Sequence, residues 1–152
     1  MKLAEALVQR ADAQKRLLQI KQRAIANARI QDGEEPTEDP AELVAQYDRI
    51  AADFQALVER INRTNLASEV EPGVSITAAI ARRDVLAMRR GLYTDLANTA
   101  TVRQDRYSRS EVKFVPVVDV RDLQGRADDI ARQYRELDTA IQATNWAVEL
   151  LD

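Results

Sequence analysis

Two arginines stand within apolar helical stripes, each close to an aspartate: Arg10 with Asp12, and Arg83 with Asp84. A guanidinium in such a place needs partners, because an unpaired charge taken out of water is unfavourable. In an antiparallel helical hairpin the start of one helix lies beside the end of the next. That brings Arg10 toward Ile61, Thr64 and Asn65, and Arg83 toward Ile141, Thr144 and Asn145. The expected candidate ligand-binding set is therefore Arg10, Asp12, Asn65, Arg83, Asp84 and Asn145. Two planar donor forks suit a small anion or carboxylate. The same groups would also serve as an internally bonded polar network that fixes helix register.

Other chemistry is narrowed by composition. The chain has no histidine and no cysteine, which removes imidazole bases, thiolate nucleophiles, disulfides and the usual zinc sites. A metal would have to be a hard cation on carboxylates. Asp48, Asp53, Glu59, Asp128, Asp129, Glu136 and Asp138 are scattered rather than set as two facing acidic pairs, so no metal and no cofactor is expected. The acidic run Glu34, Glu35, Glu38, Asp39 lacks the ligand spacing of a calcium loop. Arg82, Arg83, Arg89 and Arg90, with Arg103, Arg106 and Arg109, form the basic concentration, but Asp84, Asp105 and Glu111 are interspersed. Salt bridging fits that pattern better than nucleic acid, and 22 Lys+Arg against 25 Asp+Glu leave a net charge of −3. No catalytic residue is assigned.

The elements that must position these residues are two copies of one unit. Residues 39–67 laid over 119–147, an offset of 80, give ten identities in 29, among them Asp39/Asp119, Ile61/Ile141, Thr64/Thr144 and Asn65/Asn145. The preceding helices match at an offset of 73 through Leu3/Ile76, Ala6/Ala79, Arg10/Arg83 and Arg16/Arg89. The first helix is expected from Lys2 to Arg29. The second starts at Asp39-Pro40, where aspartate caps and proline suits the first helical position. Its stripe Leu43, Tyr47, Ile50, Phe54, Leu57, Ile61 recurs in the fourth helix as Leu123, Ala127, Ile130, Tyr134, Leu137, Ile141, Thr144, Val148 and Leu151, the seam of knobs-into-holes packing. The third helix starts near Ser75 or Thr77, and Val85, Leu86, Met88 and Leu92 widen its apolar side, so broad burial is expected. Trp146 and Tyr134 are expected in the core. Pro72-Gly73 marks a turn between the copies. Residues 111–118 have strand composition, with Pro116 limiting them to an edge. Their pairing partner would be Ala28–Gln31 or the same segment of another subunit.

Several stretches resemble a family of small bacterial helical proteins that carry the septicolysin label. They are residues 2–7, Gly33-Glu34-Glu35-Pro36 with Glu38-Asp39-Pro40, Ile61-Asn62-Arg63-Thr64-Asn65, Tyr107 through Pro116, and Asn145-Trp146. The resemblance spans essentially the whole chain and brings no catalytic residue or ligand with it. The label implies membrane damage, but the chain has no strongly basic surface-active helix.

The resulting expectation is one domain over 1–152, with repeats 1–67 and 75–152. It is a mostly α, elongated four-helix bundle of two antiparallel hairpins with a short β element near 111–118. A charged amphipathic start at Met1–Arg10 is unlike a signal peptide, and no apolar run approaches the ~20 residues of a membrane span. A cytoplasmic, non-enzymatic homo-oligomer, at least a dimer, is the leading expectation for function. A small-ligand binder or carboxylate-metal hydrolase using one end or groove is the alternative.

Overall fold

The computed structural model describes residues 1–101 and 114–152. It is a mostly α helical bundle: α1 (Leu3–Ala26), α2 (Pro40–Ala67), β1 (Glu69–Glu71), β2 (Val74–Ser75), α3 (Ile76–Ala100) and α4 (Val120–Ala147). The duplication is visible in the boundaries. Adding 80 to both ends of α2 gives both ends of α4, and adding 73 to the start of α1 gives the start of α3.

Each start and stop has a local cause. The Asp39 carboxylate accepts the Ala41 N–H at 2.8 Å, and Asp119 does the same for the Asp122 N–H at 3.0 Å. Both satisfy amides that have no partner inside the helix. At α1, the Glu5 carboxylate reaches back to the Lys2 N–H at 2.7 Å. That helix ends three residues before the expected Arg29, because Asn27 takes over its last turn. The Asn27 side chain donates to the Arg23 carbonyl at 3.0 Å and accepts the Glu38 N–H at 3.1 Å. Arg23 also pairs with Glu38 across the loop, and its guanidinium holds that carboxyl below the usual glutamate range.

The small sheet lies elsewhere than expected. It is the antiparallel pair β1–β2, with Glu69 opposite Ser75 and Glu71 opposite Val74. Gly73 turns it at φ +80°, a conformation that side-chain-bearing residues rarely adopt. Residues 111–113 lie outside the described residues, and 114–118 contain no strand. The physical reason is pairing: 69–75 carries its own partner across a tight turn, whereas Ala28–Gln31 forms no edge and begins with a turn from the Ala28 N–H to the Ile25 carbonyl. An edge without a partner does not persist as a strand.

The pairing has a counterpart at the ends of the chain. Lys2 and Glu149 form an isolated antiparallel bridge, supported by Leu3 N–H to Val148 O at 3.0 Å and Leu150 N–H to Met1 O at 2.9 Å. Glu149 is Glu69 shifted by 80, and Lys2 is Ser75 shifted by −73, so this bridge repeats the Glu69–Ser75 pair. Here the Glu149 carboxyl is held below its usual range by the Lys2 ammonium and by the N-terminal amine, at 2.8 and 3.0 Å.

Two compact units result, 1–75 with 142–152, and 76–141. In the first, α1 and α2 pack antiparallel, and Leu3, Ala6, Ile20, Leu43, Ile61 and Thr64 are buried. In the second, Arg83 reaches Asp138 and Arg126 acts on Tyr93, so α3 and α4 also run antiparallel, with Ile76, Ala79, Leu86, Ala97, Ile130 and Ile141 buried. Two expectations are corrected. Trp146 is 60% exposed rather than in the core, and Val85, Met88 and Leu92 of α3 are exposed rather than buried. A single helix can turn only one stripe toward its neighbour, and in α3 that stripe is Ala79, Leu86 and Ala97.

Candidate functional site

Arg83 and Asp84 fall in the second unit, and Arg10, Asp12, Asn65 and Asn145 in the first. The half-buried Arg83 donates through Nη1 to Asp138 at 3.0 Å and through Nε and Nη2 to Asp84 at 3.3 and 3.2 Å. Burial disfavours its charge, but the bonds to Asp138 and Asp84 outweigh that and leave it more basic than usual. Asp138 was missed as its partner from sequence. It sits one residue past Leu137 on the seam, a signal that becomes readable once the copies are superposed.

Arg10 is the counterpart of Arg83, yet its Nε is buried with no hydrogen-bond partner among the described residues. The duplication explains this. The positions of Asp84 and Asp138 are occupied in the first copy by Ala11 and Val58. The carboxylates that hold Arg83 are absent, while the arginine is kept.

Of the repeated Thr-Asn pair, Thr64 serves the backbone. Thr64 is fully buried; its hydroxyl donates to the Arg60 carbonyl at 2.8 Å and accepts the Leu151 N–H at 3.0 Å. Arg60 adds bonds to the Leu151 carbonyl at 3.0 Å and to the Asp152 carboxylate at 2.7 Å, and Arg63 reaches the Asp152 carbonyl. The last residues are thus clamped on the final turns of α2, where the sequence placed Arg10. Asn145 is buried with its Oδ1 unpartnered, Asn65 is half-buried, and Asp12 is exposed, 4.0 Å from Lys15.

Among the grooves formed by the described residues, two lie at equivalent positions in the two units. In the first, about 510 Å³ is lined by Gln9, Asp12, Arg16, Asp53, Phe54 and Leu57, among others. In the second, about 420 Å³ is lined by Arg82, Val85, Leu86, Arg89 and Gln133, among others. Arg16 and Arg89 are the same residue in the two copies, but Asp12 has become Val85 and Asp53 has become Gln133. Losing two carboxylates turns a mixed-charge groove into an apolar and cationic one. Arg89, and to a lesser degree Arg126, hold the Tyr93 phenol below its usual range.

The same change extends along α3. Val85, Met88, Leu92 and Leu96 follow at steps of three and four, on the side roughly opposite the buried Ala79, Leu86 and Ala97. Their exposures are 52, 72, 57 and 38%. The equivalent α1 positions hold Asp12, Lys15, Gln19 and Arg23. The first hairpin thus folds with polar residues at the four positions where the second is apolar. Among the described residues no helix is long and apolar enough to cross a membrane, and no group of three or more acidic side chains converges to hold a metal ion.

These features define a duplicated helical-hairpin protein whose second copy is apolar at outer positions where the first is polar. The chain belongs to the family described as Family of unknown function (DUF6847), whose model matches residues 10–150. It is similar to the crystal structure of a functionally unknown conserved protein from Corynebacterium diphtheriae, with 44% identity over 99% of each chain and a TM-score of 0.94. Comparison with curated proteins returns no match.

Proposed function

We propose that the protein is a non-enzymatic interaction protein that works as a homo-oligomer, using the outer face of α3. One observation carries this reading: Val85, Met88, Leu92 and Leu96 are exposed where the equivalent residues of α1 are Asp12, Lys15, Gln19 and Arg23. A helix that is apolar on two opposite sides needs cover on both. Contiguous exposed apolar surface is the usual mark of an interface in a folded protein.

The copies supply their own control. Met88→Glu combined with Leu92→Glu should turn the oligomer into a monomer in size-exclusion chromatography, with far-UV circular dichroism unchanged. The equivalent pair Lys15→Glu and Gln19→Glu should leave the elution volume alone. An α3 variant that still elutes with wild type contradicts the reading.

A further inference from the structure

We infer that two copies associate through α3 as a parallel, in-register helix pair. The inference rests on the homo-oligomer reading above and specifies its geometry. Ala78, Ala81, Val85, Met88 and Leu92 recur at alternating steps of three and four, the a and d spacing of a two-stranded seam. Leu96 continues it, one position later than a strict heptad, as a straight helix drifts relative to a seven-residue repeat.

The flanking positions set the direction. With Val85 and Leu92 at a, Asp84 and Gly91 occupy g, and Arg89 and Leu96 occupy e. In a parallel pair each g residue meets the e residue five positions further along in the second copy. Asp84, which in its own chain accepts from Arg83 through Oδ1, then also faces Arg89 of the second copy, twice by symmetry, opposite charge on opposite charge. An antiparallel pair sets e against e, which brings Arg89 to Arg82 or to another Arg89, like charge on like.

Gly91 fits the same arrangement. Glycine is the least favourable residue in a helix interior after proline, and a Cβ added at Gly91 would meet nothing within 4 Å in this chain. The chain's own packing gives no reason for it. In the parallel pair Gly91 faces Leu96 of the second copy, and the missing side chain leaves room for that leucine. The first copy has Leu18 at the position of Gly91 and Ala11 at that of Asp84, so α1 lacks both the glycine and the acid.

The absence of cysteine from the chain allows a clean test. Val85→Cys and Leu92→Cys, made separately, should both give a covalent dimer on mild oxidation, because each a residue of a parallel in-register pair faces itself. The two sites are about 10 Å apart along the helix, so an antiparallel crossing could bring at most one of them within the roughly 7 Å that a disulfide spans. Cross-linking at one site only, or at neither, overturns the inference. If wild type is nevertheless dimeric by light scattering, the homo-oligomer reading stands without this geometry; if wild type is monomeric, both fall. A second pair of variants tests the charges. Asp84→Arg and Arg89→Asp chains, mixed, should associate with each other roughly tenfold more tightly than either does with itself. Equal self-association contradicts the proposed pairing.

Discussion

Ile61→Ala and Ile141→Ala are each expected to lower the stability of the fold by about 2–5 kcal/mol, and by similar amounts. The two isoleucines are repeat equivalents, 0% and 1% exposed, one in each unit. Replacing either removes three methyl or methylene carbons from a close-packed interior, and the loss is the transfer free energy plus the cavity left behind. These helices are slender and bury few large side chains, so neighbours have little with which to fill the gap. Urea denaturation followed by circular dichroism reads both. A variant that unfolds at the wild-type urea midpoint would remove that isoleucine from the core, and a large difference between the two would show that the units pack unlike one another.

The second large effect is an asymmetry between two arginines that the sequence treats alike. Arg83→Leu is expected to lower stability by about 1–3 kcal/mol, because it leaves the partly buried Asp138 without its donor. Arg10→Leu removes a guanidinium whose buried Nε has no partner among the described residues. It should leave stability unchanged or raise it, since an unsatisfied buried donor carries a desolvation penalty with nothing to offset it. Thermal or urea midpoints of the two variants, compared side by side, decide the matter. Equal losses would mean that Arg10 has partners equivalent to Asp84 and Asp138, against the reading of Ala11 and Val58.

The periodic parts of this fold were legible because helices are written locally. Capping aspartates, a proline at the first position of α2 and an unbroken three-four stripe place the starts of α2 and α4. The stripe continues to Leu151, but α4 ends at Ala147, where the chain turns into the Lys2–Glu149 bridge. The duplication also carries over to the strand pairs. What stayed hidden depended on partners distant in sequence. Residues 114–118 read as a strand from composition alone, but composition does not provide an edge to pair with. Glu69–Ser75 looked like a mere turn, yet Pro72-Gly73 gives both of its short strands a partner. The candidate site divided in the same way. Arg83 is bonded by Asp138 and Asp84, and Asp138 reads from sequence as one of several scattered acids. Thr64 and Asn65 were assigned to Arg10, whereas Thr64 holds the backbone of the C-terminal segment, a contact between residues 87 apart. The most telling signal was where the copies differ. A stripe of Val, Met, Leu and Leu reads as core until its counterpart of Asp, Lys, Gln and Arg shows that the fold does not require it.

Static light scattering of the wild-type chain at micromolar concentration is the most direct test of the proposal that this protein works as a homo-oligomer. The account predicts a mass of about twice the 17.1 kDa of one chain, or a higher multiple. A mass that stays near 17.1 kDa as the concentration rises would contradict it.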